Sequence, residues 1–417
     1  MASLLRAVVD LRPLREHRVF RRLWLGTTAS GFGGQLSVFA VIYYVWERTG
    51  SPAMVGLIGL FTAAPLIGFA LLGTAFADHV DRRRLALGTT AGQIANSLLM
   101  TLVAVAGAPV WVLLVLVGVS SGLAAVGAPA RRAVVPRLLP PDRLAAGLAL
   151  NHLSFQLVLL LGPAAAGLLT AQWGSGVCFA GAAVASVAAL VGIAGLPATG
   201  PAGPAGIAGP PGLRAVWEGI RFTGRTPAVR GALLADLAAT GLAMPVAVFP
   251  VINEEKFGGA PEVLGLFFAA VGAGGILASA ISGIVTRHHR PGMVLLTCGA
   301  VWGASLAAIA LASSLPAVLG LLALAGAADT WAVVSRGTVV QSSTPESHRG
   351  RVAALEHVAG AAGPHVGNLR AGLVAAGTSG GASLAIGGAA CVAGIGLLAA
   401  MTPALRQFTV RPVPDPS

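Results

Sequence analysis

Charge is scarce in this chain, and lysine scarcer still. Only 10% of its 417 residues are Asp, Glu, Lys or Arg, and Lys256 is the one lysine. A soluble domain carries roughly 25% charged residues, and a single soluble core stops growing at about 250–300 residues. With 55% hydrophobic residues, the chain has no soluble fold in which to hide its apolar surface. The bilayer is left as its solvent. A Walker A phosphate loop needs Gly-Lys followed by Ser or Thr. Lys256 follows Glu255 and precedes Phe257, so the chain has no such loop with which to use ATP. Cysteine is also sparse. Cys178, Cys298 and Cys391 each sit inside an apolar run, with no metal-ligand spacing and no disulfide framework, and read as small buried hydrophobes. No cofactor and no metal is expected. The His-Glu-x-x-His zinc pattern is missing and no soluble catalytic domain is visible, which argues against an enzyme.

What the chain does have is arginine and long apolar runs. The net charge of +12 invites a nucleic-acid reading, but the arginines lie in short clusters between apolar runs and not on one polar face. No nucleic-acid partner is expected. A span needs about 20 apolar residues. Runs of that length fall at roughly 23–46, 53–77, 85–106, 109–130, 145–170 and 174–196, and again at 228–252, 262–285, 292–312, 316–340, 353–376 and 380–402. The expected fold is therefore an all-α membrane protein with twelve transmembrane helices. Residues 1–22 hold Arg6, Arg12, Arg15, Arg18, Arg21 and Arg22 ahead of a run of spanning length. They read as a cytoplasmic segment and not as a cleaved signal.

Charge placement gives an orientation. With the N-terminus inside, the inner loops hold Arg82–Arg84, Arg131, Arg132, Arg137, Arg143, Arg214, Arg221, Arg225, Arg287, Arg290, Arg349 and Arg351. The outer loops hold only Arg48 and Lys256, beside Glu47, Glu254 and Glu255. That is the positive-inside pattern, and it places both termini in the cytoplasm of a multi-pass cell-membrane protein.

The domain plan follows. A bundle at 23–196 is joined to a bundle at 228–403 by a cytoplasmic Gly/Pro-rich linker over 197–227, and 404–417 is a cytoplasmic tail. In the linker Gly200, Gly203, Gly206, Gly209 and Gly212 recur every third residue with prolines between, which suits an extended polyproline connector. Leu213, Trp217 and Ile220 then share one face of a short helix near Arg214 and Arg221, as in a helix lying on the membrane surface. The two halves echo each other. Arg132-Ala-Val-Val parallels Arg336-Gly-Thr-Val-Val, Pro141-Asp142 parallels Pro345-Glu346, and Gly162-Pro163 parallels Gly363-Pro364. Two six-helix halves repeated in parallel are a transporter architecture.

Charged residues inside spans are costly, about 2.5–3.5 kcal/mol each at a helix centre, and are functional candidates by default. Asp236 lies in the seventh run, Asp329 and Arg336 in the tenth, and Arg370 near the outer end of the eleventh. Arg336 is about 10.5 Å along a helix from Asp329, two turns away on the same face and too far for a direct pair unless the long side chains narrow the gap; Glu356 is its alternative partner. Arg370 either lines a cavity or snorkels outward. His152 and His365 can titrate near neutral pH and Gln35 can hydrogen-bond cargo; packing is the alternative for each. A carboxylate facing a cavity, Asp236 or Asp329, is the candidate proton carrier, with a helix–helix salt bridge as the competing role.

The loop Gly73-Thr-Ala-Phe-Ala-Asp78-His-Val-Asp81-Arg82-Arg83-Arg84 resembles the signature loop of the major facilitator superfamily. Thr74 and His79 depart from it, standing for a glycine and an arginine. The resemblance implies that Gly73, Asp78, Asp81, Arg82 and Arg83 form a cytoplasmic gate. Gly162-Pro163-Ala-Ala-Ala-Gly167 is similar to a small-residue motif of drug–proton antiporters, with Ala166 for a glycine. Val135-Pro136, Leu144-Ala-Ala-Gly147, Arg290-Pro291-Gly292 and Gln341-Ser-Ser-Thr-Pro345-Glu346 follow the order of the enterobactin-exporter branch. The branch implies the major facilitator fold of two six-helix bundles and a secondary active transporter, exporting a siderophore or other amphipathic small molecule against protons. A monomer in the bilayer is expected. A facilitator or importer, and more remotely a membrane enzyme or sensor, are the alternatives.

Overall fold

The computed structural model describes residues 10–72, 81–132, 138–196 and 213–410. The linker residues 197–212 and most of the loop after the second helix, Gly73 and Asp78 included, lie outside them. Among the described residues there is no strand, and twelve long helices carry the fold. They are α1 (Arg18–Thr49), α2 (Pro52–Leu72), α3 (Arg82–Val105), α4 (Val110–Arg132), α5 (Pro141–Trp173), α6 (Ser175–Ala194), α7 (Pro227–Ala243), α8 (Pro261–Ala280), α9 (Pro291–Ile309), α10 (Leu315–Ser343), α11 (Glu346–Gly377) and α12 (Gly380–Met401).

Several helices begin before their apolar runs. Helix α1 includes Arg18, Arg21 and Arg22, and α11 starts at Glu346, ahead of the run at 353. Hydropathy sees only the bilayer portion; a polar first turn at the membrane surface is just as helical. Ten spans among the described residues are long and apolar enough to cross a membrane. The two long helices not among them are α3 and α11. In α3 the polar groups are turned onto a neighbour. Gln93 Nε2 donates to the Ser120 carbonyl at 2.8 Å, Ser120 Oγ donates back to Gln93 Oε1 at 3.0 Å, and Asn96 Nδ2 donates to the Leu116 carbonyl at 3.1 Å. Lipid offers no such partners, so polar side chains of a spanning helix pair with the next helix.

Helix α7 is broken where a single run was expected. It stops at Ala243, passes through a 3₁₀ turn at Val246–Val248 and resumes over Phe249–Phe257. Pro245 and Pro250 each lack the amide a continuous helix needs. The Ala247 amide freed at the break donates to Asn368 Oδ1 of α11 at 3.2 Å, the repair such a break requires in lipid.

The chain clusters into two compact units, residues 1–48 with 64–210 and residues 49–63 with 211–417. Each repeats the same internal packing. In the first, α3 lies against α4 and α6; in the second, α9 lies against α10 and α12. A glycine of the fifth helix in each unit meets the first helix. A Cβ on Gly162 of α5 would strike Gln35 of α1, and one on Gly363 of α11 would strike Thr240 of α7. Each unit also opens with a short helix tied to its fifth helix by a Glu–Arg pair. In the first, Glu16 of the Arg12–Glu16 helix pairs with Arg143 at 3.2 Å; in the second, Glu218 of the Leu213–Arg225 helix pairs with Arg351 at 2.8 Å. Cys178, Cys298 and Cys391 are all buried and free.

Candidate functional site

The second unit gathers the intramembrane charges that stand far apart in sequence. Asp236 on α7 is paired with Arg336 on α10, its Oδ1 on the Nη1 of the guanidinium. Glu356 on α11 brings Oε1 to 3.9 Å from Arg336 Nε. That is an ionic contact but too long for a hydrogen bond, and the buried Nε makes none. The side chains of Arg336 and Asp236 are only 17% and 15% exposed, so the pair is largely withdrawn from water. Asp329 lies two turns from Arg336 on the same face of α10. It is exposed and makes no direct pair with Arg336.

Helix geometry explains the meeting. Asp236 falls on the α7 segment that packs against α10 and α11. Thr240, one turn on, lies under Gly363 of α11, where the absent side chain lets the two backbones close. Spacing along α10 sets Asp329 too far from Arg336 for a direct pair, and the expected alternative, Glu356, lies at ionic distance. The tertiary fold also brings Asp236, which no single-helix spacing reveals.

The other expected residues are dispersed. Arg370 lies on α11 with its Nε buried and without a hydrogen-bond partner. Its guanidinium occupies the slot left by Gly387 of α12, where a Cβ would also meet the Leu242 carbonyl. His152 is exposed on α5, and His365 on α11 lends its main chain to a close approach by Gly59. Gln35 packs on Gly162, beside the buried Pro163 and Gly167 of α5. In the loop before α3, Asp81 accepts from the amides of Arg83 and Arg84 at 2.8 and 3.1 Å, capping α3. Arg83 Nη2 donates to the Ala194 carbonyl at the end of α6, at 2.7 Å. Of Arg82 only the backbone is described.

The sequence names Glu356 as a candidate partner of Arg336, and it lies at 3.9 Å; Asn368, which takes the amide freed in α7, is the participant that the sequence reading lacks. Both are polar residues within a spanning helix, the same signal that had singled out Arg370. In the first unit α1 and α5 enclose a cleft of about 260 Å³, lined by Phe20, Trp24, Thr28, Asn151, Ser154 and Phe155 among others. Gly118-Val-Ser120-Ser-Gly122 has the spacing of a hydrolase nucleophile turn. It lies inside α4, however, and Ser120 bonds to Gln93 and not to a histidine.

Comparison with known proteins agrees with this architecture. The family described as transmembrane secretion effector matches residues 9–413. The multidrug efflux pump Tap of Mycolicibacterium fortuitum is 27% identical over 364 residues, 83% of this chain and 86% of its own. The enterobactin exporter EntS of Shigella boydii serotype 18 is 28% identical over 424 residues, 97% of each chain. Among solved structures, a peptide transporter POT superposes with a TM-score of 0.74 at 13% identity, over 94% of this chain and 96% of that one. At that identity the likeness speaks for the fold alone.

Proposed function

The chain belongs to the transmembrane secretion effector family of the major facilitator superfamily, and from that membership we propose that it is a proton-coupled exporter of a siderophore or other amphipathic small molecule, drugs included, working by alternating access. The observation that carries the proposal is the charge imbalance around Arg336. One guanidinium faces Asp236 and Glu356, and Asp329 stands two turns away on the same helix. Arg336 neutralises one carboxylate. Uncompensated charge is expensive where water is shut out, so a second carboxylate is neutralised by a proton while the site is closed and yields it when access opens. One charge crossing 100 mV supplies about 2.3 kcal/mol, which holds roughly a fiftyfold cargo gradient at one proton per cargo.

The amphipathic character of the cargo rests on two relatives, whose names state multidrug and enterobactin export. In this reading Asp236, Asp329, Glu356 and Arg336 handle the proton, Arg370 and Gln35 contact cargo, and the Asp81–Arg83 segment belongs to the gate. The one-sided arginines put the N-terminal segment, the linker and the tail in the cytoplasm, and one chain is the working unit.

The test is transport in proteoliposomes under an imposed proton gradient, with enterobactin and a macrolide as cargoes. Asp236→Asn and Asp329→Asn, singly and together, are expected to reduce gradient-driven transport to the level of gradient-free exchange, with exchange preserved. Gradient-driven transport that survives Asn at both positions would defeat the assignment of the proton to these aspartates, and a wild type that exchanges cargo without responding to the gradient would favour a facilitator.

A further inference from the structure

The helix Leu213–Arg225 ends one residue before α7 begins at Pro227. A helix joined so closely to the start of a span lies at headgroup depth. Its two sides differ. Toward the protein, Gly219 is so close to the Arg351 carbonyl that a Cβ would stand 2.5 Å from it. On the same side Glu218 pairs with Arg351 at 2.8 Å and Phe222 stacks on His348 at 4.8 Å. Away from the protein the helix shows Trp217, 68% exposed, and Ile220, 44% exposed. Arg221 and Arg225 are exposed beside them. Arg230 of α7 adds a third exposed guanidinium, donating to the Gly224 carbonyl at 3.3 Å.

An aromatic and an aliphatic side chain flanked by arginines suit one occupant, the interface of a membrane containing anionic lipid. The contacts on the other side all fall on the first turns of α11. Glu356, which faces Arg336, follows Arg351 by five residues, about 7.5 Å along the same helix. We propose that Leu213–Arg225 is a binding element for anionic lipid headgroups, and that its fastening to α11 makes the Arg336 cluster responsive to lipid composition. Trp217 and Ile220 enter the interface; Arg221 and Arg225 hold the phosphates. The second clause rests on the proton-coupling reading above; the first does not.

Two measurements test the two clauses separately. Tryptophan quenching by brominated lipid is read as the difference between the wild type and Trp217→Phe. Brominated phosphatidylglycerol is expected to quench Trp217 more strongly than brominated phosphatidylcholine. The double variant Arg221→Gln/Arg225→Gln is expected to lose that preference. At roughly five- to sixfold per arginine near an anionic surface, the pair gives about a thirtyfold preference for anionic membrane. Gradient-driven transport is then compared in phosphatidylcholine liposomes with and without phosphatidylglycerol. The wild type is expected to speed up severalfold with phosphatidylglycerol and the double variant not to respond. Absence of Trp217 quenching, or quenching equal in the two lipids, overturns the binding element. Selective quenching without any lipid effect on transport overturns the link to α11. A protein that shows no gradient-driven transport in any lipid refutes the coupling reading and leaves the quenching result to judge the lipid site.

Discussion

Glu255 and Lys256 are consecutive residues that close the ends of two different helices. Glu255 Oε1 accepts from the Gly380 amide, the first of α12, at 3.1 Å. Lys256 Nζ donates to the carbonyls of Ile309, Ala310 and Ala312 at the end of α9, at 2.9, 3.0 and 2.6 Å. Each charge has the sign that its helix end favours. The broken α7 makes this possible, because its second segment carries both side chains past the apolar stretch. Lys256→Met takes the ammonium from three carbonyls, of which Ile309 keeps the Ala312 amide as a donor, and is expected to cost about 2 kcal/mol. Thermal unfolding in detergent checks it, with a drop of several degrees expected. Transport per folded molecule is expected to stay unchanged, since Lys256 serves the scaffold; a loss of transport without a loss of stability would contradict that role.

The Asp236–Arg336 pair calls for a charge-balanced comparison. Arg336→Met strips the cation from Asp236 and Glu356, and breaking one side of a buried pair costs about 3–5 kcal/mol. Poor yield of folded protein is expected. Asp236→Asn with Arg336→Gln removes both charges and is expected to recover most of the yield without recovering gradient-driven transport. Size-exclusion profiles and proteoliposome assays on the same preparations separate the two effects. Full transport in the double variant would leave the pair a purely structural role.

Close helix packing sets a second contrast. Gly326 of α10 lies against the backbone of Val271, and Gly274 of α8 lies against the backbone of Ala323. A methyl group at either place forces two backbones apart. A Cβ on Gly92 of α3 would meet only the δ-methyls of Leu123, at 3.0 and 3.1 Å, and a flexible side chain can turn aside. Gly326→Ala is expected to lower the unfolding temperature by several degrees through overpacking of about 1–3 kcal/mol. Gly92→Ala is expected to leave it within a degree or two. Parallel melts of the two variants decide the matter.

These relationships mark what the sequence disclosed. The helix number was legible because each span writes its length in apolar residues, and because arginine clusters punctuate alternate loops. Helices α3 and α11, which are not among the ten spans that are long and apolar enough to cross a membrane, still read as apolar runs at 85–106 and 353–376, and the alternation of charge agrees with counting them. The break in α7 falls at Pro245 and Pro250 inside a run read as continuous, and its repair by Asn368 was hidden because the partner lies more than a hundred residues away. The same limit hid the pairing of Asp236 with Arg336. Periodicity relates residues on one helix, and α10 alone offered only Asp329. The Glu16–Arg143 and Glu218–Arg351 pairs belong to the same class: each half shows the pattern, but only the fold shows that the two are counterparts.

The Asp81–Arg83 segment tests whether the resemblance to a gating loop holds through charge or through shape. Asp81 caps α3 by accepting from two amides, and an asparagine does this nearly as well as an aspartate. Asp81→Asn is therefore expected to leave stability almost unchanged, whereas Asp81→Ala is expected to lose about 1 kcal/mol with the cap. Arg83 ties the same end of α3 to the Ala194 carbonyl of α6, and Arg83→Gln is expected to loosen that joint by about 1 kcal/mol. Transport then discriminates. A loop that works by holding α3 in place keeps its activity in Asp81→Asn and loses part of it in Asp81→Ala and Arg83→Gln, in step with their melting temperatures. A loop that works by its negative charge loses activity in Asp81→Asn at full stability. The bonds made by Asp81 are both to main-chain amides of its own helix, so the first pattern is expected, and the second would show that the carboxylate has a partner in another state of the transport cycle.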